Sequence, residues 1–523
     1  MTFETVIGLE IHAELATKSK IYCSCSTAFG ADVNTQTCPI CTGMPGVLPV
    51  LNKKVVDYAI TAGLAMNCEI TEYGKQDRKN YFYPDLPKAY QTSQYDMPIC
   101  KNGYLDVEVD GKIKRIGITR IHIEEDAGKL IHDGLRGASL VDYNRCGVPL
   151  IEIVTEPDMR SPEEARAFLE KVKSILEYTG VSDCKMQEGS LRCDVNLSVR
   201  PLGQKEFGTR TEMKNINSFS AAFRAMEGER KRQIELIEDG GEVVQATRRW
   251  DDAKGESFEM RSKEEAHDYR YFPEPDLVPI VVDREWIERI RASLPELPDE
   301  RKRRYIAELG LPEYDAKLLT ASKSISDYFE KTVGLGAPAK AVSNLLMGDI
   351  SKILHERKME SIPFEPVFLA KAISLYTEQK VSSGALKKII EALFDEEKEP
   401  EEIAKEKGLI QVSDESALIP IIQKILNDNP KAVEELKSGK EKAMGFFVGQ
   451  AMRALDSISV LICPVFCLTA ADAWDIFFRR RNTTSKNIGI ISPTTTARRH
   501  WITPMTTNAP MMVKALVSRS SGP

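Results

Sequence analysis

Carboxylate and histidine side chains recur at alternate positions in several segments of this 523-residue chain. Glu10 and His12 are two residues apart, so in a strand they share one face and can reach the same ion. Glu152 lies inside the apolar run 149–154, where burying a carboxylate is costly unless it is paired or bound to a metal. These side chains predict one acidic pocket suited to Mg²⁺ on a sheet face. Its candidate members are Glu10, His12, Glu124, Glu125, Glu152, Asp194 and Glu212.

Charges that alternate along a strand are most often only its solvated face. For carboxylates such as Glu4 and Asp106 we therefore expect simple exposure. Glu152 differs because its neighbours on both sides are apolar. His12 is a stronger candidate for a metal ligand because Glu10 lies on the same strand face. The prediction of a pocket depends most on these three residues.

Four of the eleven cysteines form an early cluster. Cys23 and Cys25 are followed, after twelve intervening residues, by Cys38 and Cys41, and two close thiol pairs at this spacing can form a tetrahedral thiolate site. The alternative is four unrelated buried thiols. We favour Zn²⁺, and a site with four protein ligands would be closed and therefore structural. An odd number of cysteines also favours a reducing compartment over a disulfide framework.

Basic and aromatic side chains are mixed in the segment 77–88. Lys79 and Lys88 could contact phosphates, while Tyr81 and Tyr83 could stack on a nucleotide base or on the end of an RNA. An aromatic core loop explains the same composition equally well.

Ser190 and Arg192, which follow a turn at Gly189, form a weaker candidate for phosphate binding. The chain has no G-x-x-x-x-G-K-[ST] motif, which excludes a P-loop NTPase. It also has no Gly- and Ser-rich amidase signature, so we expect no glutaminase in this chain.

The composition is that of a globular protein, with 71 Lys and Arg against 78 Asp and Glu and a net charge of −7. This balance argues against a protein coated in basic residues, but it permits a local basic patch for RNA. The first residues include neither a basic nor an apolar signal region, and no apolar run is long enough to span a membrane. We therefore expect a soluble cytoplasmic protein.

Segments in which apolar and polar residues alternate predict the strands that position the pocket. They lie at 3–12, 116–124, 191–199 and 209–214. One helix is well specified, with Ser161 as N-cap, Pro162 as first helical residue, Glu164 completing a capping box and Gly180 ending the helix. Many strands with few helices favour an α+β domain with a mainly antiparallel sheet.

The Pro-rich stretch 294–298 predicts the end of the strand-rich domain, which we place at 1–293 and which contains the zinc-binding loop. We expect a helical connector at 294–338 and a further all-helical domain at 339–453. The final segment, 454–523, changes in composition and is predicted to have no stable fold.

Several long motifs resemble the B subunit of the bacterial-type tRNA-dependent amidotransferase. The match runs from residue 1 to about 453, and its motifs lie at 6–12, 81–88, 122–129, 142–154, 187–196, 210–217, 268–276 and 445–450. The resemblance implies a cradle-like domain with a kinase-like site, followed by helical regions that bind tRNA. It also implies a heterotrimer with an amidase-type A subunit, which makes ammonia from glutamine, and a small C subunit. The segment 454–523 does not match the family, and a shifted reading frame or a fused extension would explain the mismatch.

In such a family, ATP phosphorylates the side-chain carboxylate of misacylated glutamyl-tRNA(Gln) or aspartyl-tRNA(Asn), and ammonia then displaces the phosphate. The resemblance implies catalytic roles for Glu10, His12, Glu125 and Glu152. The resemblance also supports the prediction that the acidic pocket binds Mg²⁺. The residues assigned to the phosphates of ATP are Lys79, Lys88, Ser190 and Arg192. The cofactors expected are ATP, Mg²⁺ and Zn²⁺.

Two rival hypotheses compete with this assignment. A non-catalytic, zinc-containing scaffold that docks tRNA would have no reason to bear the cost of burying Glu152. An archaeal paralogue that acts only on glutamyl-tRNA carries an extra inserted domain, for which this chain has no room.

Overall fold

The alternating segments form strands, and most of these strands join one large sheet. The computed structural model describes residues 2–133, 137–262, 269–359, 361–410, 423–437, 445–447 and 450. In chain order the described strands are β1 (Phe3–Glu14), β2 (Glu69–Ile70), β3 (Tyr73–Gly74), β4 (Asp77–Asn80), β5 (Tyr90–Ser93), β6 (Cys100–Val109), β7 (Lys112–Glu125), β8 (Lys129–Asp133), β9 (Ala138–Asp142), β10 (Pro149–Thr155), β11 (Leu191–Pro201), β12 (Thr211–Lys214), β13 (Ala246–Asp251), β14 (Glu256–Ser262), β15 (Phe272–Pro273) and β16 (Ile280–Val281).

Nine strands form the large sheet, in the order β14-β13-β12-β11-β1-β10-β7-β6-β2. The pairing is antiparallel throughout except between β12 and β13, which run parallel. Smaller sheets join β15-β4-β5, β16-β3 and β8-β9. A large, mainly antiparallel sheet followed by a helical region confirms the predicted α+β class.

Helices pack against the sheet in the first part of the chain and make up most of the second part. In chain order the described helices are α1 (Lys53–Ala65), α2 (Pro162–Thr179), α3 (Phe219–Glu238), α4 (Arg284–Ala292), α5 (Pro298–Leu309), α6 (Glu313–Thr320), α7 (Lys323–Gly334), α8 (Ala339–Leu345), α9 (Ser351–Arg357), α10 (Pro366–Thr377), α11 (Ser383–Leu393), α12 (Pro400–Glu406) and α13 (Pro430–Lys437). A short π-helical turn, Leu346–Ile350, lies between α8 and α9.

One face of the sheet is apolar and buried. In β1 the odd-numbered Ile7, Leu9 and Ile11 are at most 1% exposed, and Val195 and Leu197 of β11 are fully buried. They belong to one core cluster with side chains from α1, α2 and α3. Because successive side chains of a strand point to opposite faces, the even-numbered residues of these strands lie on the other face.

The predicted helix at Ser161 is α2, and both of its ends are as expected. The Ser161 hydroxyl accepts a hydrogen bond from the backbone N–H of Glu164 at 3.3 Å, and Gly180 ends the helix with φ +68°. The reciprocal half of the capping box differs. The Glu164 carboxylate accepts from the backbone N–H of Arg160 at 2.7 Å, one residue before the N-cap.

Contacts divide the chain into an N-terminal unit, Met1–Lys323, and a C-terminal unit, Ser324–Pro523. The domain boundaries at 293, 338 and 453 stay predictions. The segment 454–523, predicted to have no stable fold, lies outside the described residues. Within the described part of the chain, no helix has both the length and the apolar character needed to cross a bilayer.

Candidate functional site

Strand register places three charged side chains side by side on the polar face of the sheet. His12 of β1 lies opposite Glu152 of β10, and Glu152 lies opposite His122 of β7. Glu124, two residues beyond His122, points to the same face. Three separate segments of the sequence therefore meet because the pairing of β1, β10 and β7 aligns them.

The cluster of His12, Glu124 and Glu152 brings one ligand atom from each residue to within 4.8 Å of the others. His12 Nε2 lies 3.4 Å from a Glu152 carboxylate oxygen and 3.9 Å from one of Glu124. His122 Nε2 approaches the same Glu152 oxygen at 3.2 Å. We call His12, Glu124 and Glu152 the cation pocket, because two carboxylates and an imidazole can hold a divalent metal ion.

The carboxylates of the cation pocket are buried, with Glu124 2% and Glu152 8% exposed. Burial alone would raise the pKa of Glu152, but the His122 charge and hydrogen bonds from both histidines hold it well below its usual value. Burial would lower the pKa of His122. The charge of Glu152, together with hydrogen bonds from His122 to both carboxylates, instead raises this pKa to about 9. Charges and hydrogen bonds thus keep the carboxylates ionised, as metal binding requires.

A second acidic group, made of Glu10, Asp194 and Glu212, lies on the same polar face. Its ligand atoms also lie within 4.8 Å of one another. The ammonium of Lys214 is 2.7 Å from Asp194 and 3.4 Å from Glu212, so it partly neutralises this group. Asn196 donates to Glu10 at 2.9 Å. The all-oxygen donor set suits Mg²⁺, and Glu10 lies in this group and not in the cation pocket.

Glu125 is not a member of either acidic group, although it is adjacent to Glu124 in the sequence. Its carboxylate forms an ion pair with Lys88 and accepts from the backbone N–H of Thr92 at 2.8 Å. The reason is alternation, because consecutive side chains of β7 point to opposite sides. Glu125 and Lys88 line a cavity of about 210 Å³ with Tyr22 and Cys41.

The residues predicted to bind phosphate differ in what they contact. The Ser190 hydroxyl donates to Asp183 at 2.5 Å, and Arg192 pairs with Asp126 through two hydrogen bonds of 3.1 and 2.8 Å. Lys79 lies on β4, and the paired strand β5 carries Ser93, which donates to Glu124 at 3.0 Å. Burial would lower the pKa of Lys79, but the charges of Glu124 and Glu152 help to raise it. Within the described residues, Lys79 has no carboxylate within ion-pair distance, so its ammonium is available to a ligand.

The four predicted zinc ligands converge. The sulfur atoms of Cys23, Cys25, Cys38 and Cys41 all lie within 4.8 Å of one another, and these cysteines are not joined by disulfides. A tetrahedral zinc thiolate site has sulfur–sulfur separations of about 3.8 Å, given its Zn–S distance of about 2.3 Å. The cluster therefore fits a metal such as zinc.

Lys20 supplies a cation beside this cluster. It is fully buried, and its ammonium lies 3.7 Å from Cys41 Sγ and 3.3 Å from the carbonyl oxygen of Tyr143. A hydrogen bond from Cys23 and the charge of Lys20 lower the pKa of the Cys41 thiol to about 5, against the effect of burial. Burial raises the pKa of Cys25 to about 11. Cys41 thus ionises more readily than Cys25.

Sequence reasoning did not assign His122, Lys214 or Lys20 to a site. His122 could have been found, because it shares the alternating pattern of Glu124 in the same predicted strand. Lys214 shares a face with Glu212 in the same way. No sequence motif around Lys20 predicted its role, because its partner Cys41 is 21 residues away and only the fold brings the two together.

Comparison with known proteins agrees with this architecture. Residues 5–288 match the family model described as the GatB/GatE catalytic domain, and residues 327–457 match that described as the GatB domain. The chain is 64% identical over 458 residues to the B subunit of the aspartyl/glutamyl-tRNA(Asn/Gln) amidotransferase from Caldicellulosiruptor saccharolyticus, covering 87% of this chain and 95% of that protein. The chain belongs to this B-subunit family. This confirms the resemblance of the sequence motifs.

Other B subunits match over a similar length. The one from Thermoanaerobacter pseudethanolicus is 61% identical over 456 residues, which cover 87% of this chain and 96% of that protein. The one from Bacillus velezensis is 57% identical over 456 residues, with the same two shares. Both acidic groups and all four clustered cysteines lie within the matched GatB/GatE catalytic domain.

Proposed function

We propose that this chain is the subunit that activates the side-chain carboxylate of glutamyl-tRNA(Gln) or aspartyl-tRNA(Asn) with ATP. The carboxylate oxygen attacks the γ-phosphorus of ATP, ADP leaves, and an acyl phosphate forms. Ammonia, supplied by an A-subunit amidase from glutamine in a complex with a small C subunit, then attacks the carbonyl carbon and displaces phosphate. This is the chemistry of a carbon–nitrogen ligase that serves translation, which is why we expect it in the cytoplasm.

The observation that carries the proposal is the cation pocket of His12, Glu124 and Glu152, with Lys79 beside it. Phosphoryl transfer depends mostly on positioning and on neutralising phosphate charge. A divalent cation such as Mg²⁺, when bound by these three side chains, would supply that neutralisation. Lys79 adds a positive charge that forms no ion pair among the described residues, so it can hold a phosphate oxygen.

The second acidic group supports the same proposal. Its carboxylates lie on the polar face that carries the cation pocket, and its donor set suits a further Mg²⁺ ion. Glu125 and Lys88 would form a charged pair in the neighbouring cavity, and Arg192 would act through Asp126. The four-cysteine cluster would hold Zn²⁺ and fix the loop 23–41, which has few strands or helices to hold it.

A non-catalytic scaffold remains the alternative, and burial argues against it. Glu124 and Glu152 are almost fully buried at a desolvation cost of several kcal/mol per ion. A protein that only docked tRNA would gain nothing from bearing this cost on the polar face of its sheet.

The test is ATP hydrolysis by the complex of this chain with its A and C subunits, with and without each misacylated tRNA. Because Glu152→Gln removes one charged ligand, we expect tRNA-stimulated ATP turnover and amidation to fall at least 100-fold, while glutaminase activity of the A subunit persists. The control is Glu108→Gln, the same change at a more exposed carboxylate of β6 that pairs with Lys302. Full amidation by Glu152→Gln would refute the proposal.

A further inference from the structure

Five tyrosine rings form a continuous row beside Lys79. We call them the tyrosine row, and in spatial order they are Tyr83, Tyr81, Tyr269, Tyr271 and Tyr95. Successive ring centroids are 6.4, 6.0, 6.0 and 4.4 Å apart. The rings come from three separate segments of the chain, so the fold and not the sequence assembles the row.

The row is anchored by β4 and the strands next to it. Strand β15 pairs with β4, with Phe272 opposite Arg78. The side-chain amide of Asn80 donates to the carbonyl oxygens of Tyr269 at 3.2 Å and Arg270 at 2.8 Å. These contacts hold Tyr269 and Tyr271 against the strand that carries Lys79. The middle of the row therefore has a fixed position.

Both ends of the row are open to solvent. Tyr95 and Tyr83 are each 51% exposed, whereas the three rings between them are half-buried. Tyr95 and Tyr271 already stack in parallel, with an angle of 12° between their planes. A half-exposed aromatic ring offers a planar surface on which a nucleobase can stack. Open ends also leave room for a polymer to continue beyond the bases that the row holds.

The row lies next to the charges of the proposed active site. Lys79 Nζ is 5.2 Å from the ring centroid of Tyr269. Ser93, two residues before Tyr95 of the row, donates a hydrogen bond to Glu124 of the cation pocket at 3.0 Å. A group that stacks on the row at Tyr95 therefore lies close to the cation pocket.

We propose that the tyrosine row binds the unpaired 3′ end of the misacylated tRNA by base stacking and so presents the aminoacyl group to Lys79 and the cation pocket. The proposal rests on the proposed function and names the binding surface for its RNA substrate. Single-stranded RNA ends are recognised mainly by stacking on aromatic rings, with nearby positive charge for phosphates. The adenine of ATP is the competing occupant, but a free nucleotide does not require the two open ends.

The test uses the complex with the A and C subunits, with Tyr95→Ala and Tyr83→Ala as variants. Loss of one base stack costs about 1–3 kcal/mol, so we expect KM for the misacylated tRNA to rise roughly 5- to 150-fold while KM for ATP stays unchanged. Tyr95→Phe keeps the ring and should retain the wild-type KM. Tyr314→Ala, at a 70% exposed ring of α6 outside the row, is the matched control.

A direct measurement of RNA binding tests the tyrosine row without relying on enzyme turnover. An RNA hairpin with an unpaired CCA end should bind the wild-type complex more tightly than the Tyr95→Ala complex, and a hairpin without that end should show no such difference. A rise in KM for ATP alone, or equal hairpin affinity in both complexes, would overturn the proposal. The hairpin with the CCA end could bind the wild-type complex more tightly while tRNA never stimulates ATP turnover. That result would contradict the proposed function but support the tyrosine row as an RNA-binding surface.

Discussion

At the scale of single residues, buried charges are held by a few identifiable partners. Lys20 is fully buried beside Cys41, and a buried ammonium is costly without an opposite charge. A thiolate at Cys41 supplies that charge, and a bound metal would keep all four cysteines as thiolates. The net negative charge of such a site would in turn be reduced by Lys20.

This arrangement predicts the effect of Lys20→Met. Without the ammonium, the pKa of Cys41 should rise and zinc should be held about 10-fold less tightly, in line with other changes next to metal ligands. Competition with a chromogenic zinc chelator would measure the affinity. Lys18→Met is the control, because Lys18 is exposed and two residues away. Equal zinc affinity in both variants would show that Lys20 does not act on the cluster.

At the scale of elements, α3 is joined to the edge of the sheet through one buried carboxylate. Glu229 is fully buried and accepts hydrogen bonds from Arg232 at 2.6 Å, Thr211 at 2.8 Å and Ser257 at 2.9 Å. These partners come from the helix itself, from β12 and from β14. Burial would raise the pKa of Glu229, but the hydrogen bonds and charge of Arg232 lower it.

The direction of that shift predicts how stability depends on pH. A carboxyl group whose pKa is lower in the folded state stabilises the fold above its unfolded pKa of about 4.5, and this contribution is lost as pH falls through the folded value. Glu229→Gln should therefore reduce the free energy of unfolding at pH 7 by roughly 2–4 kcal/mol. The difference from wild type should shrink below about pH 4.5.

Denaturant unfolding at several pH values would measure this effect. Glu227→Gln is the matched control on the same helix, because Glu227 is 45% exposed and pairs only weakly with Arg230 at 3.6 Å. It should change the free energy of unfolding by less than about 0.5 kcal/mol. A pH-independent loss in Glu229→Gln would contradict the lowered pKa.

Strands were easier to predict than the helices between them. The alternation in 3–12 and 191–199 marked β1 and β11, because one face of each strand is buried. The 20-residue helix α3 was missed. Its buried side includes the polar Glu229 and Gln233, so the apolar period of a helix is interrupted.

Residue types predicted the candidate site, but not how its members are grouped. Glu152 was singled out correctly as a costly buried carboxylate, since apolar neighbours are visible in the sequence. The separation of Glu10 from His12, and of Glu125 from Glu124, depends on strand register and on partners distant in sequence. The metal and phosphate roles of all these residues stay predictions.

At the scale of the whole molecule, the main hydrophobic core belongs to one unit. All of its buried members lie between Ile7 and Ile290, within Met1–Lys323. The cation pocket, the second acidic group and the cysteine cluster lie in the same unit. Folding of these sites therefore depends on contacts inside the N-terminal unit.

A fragment comprising residues 1–323 should consequently fold by itself. We expect a single cooperative thermal transition, because the sheet and its packed helices share one hydrophobic core. Circular dichroism would follow the transition, and metal analysis should find one zinc per fragment. The full-length chain is the reference for both measurements. A fragment that aggregates, or that shows no cooperative transition, would contradict this expectation.

The opposite orientations of Glu124 and Glu125 have a consequence for mispairing. If β7 slipped by one residue against β10, Glu125 would enter the position beside Glu152 and Glu124 would leave it. The same slip would turn Ile121 and Ile123, both fully buried, towards water. Apolar residues that touch no ligand therefore penalise the wrong alignment and favour the register in which Glu124, and not Glu125, lies beside His12 and Glu152.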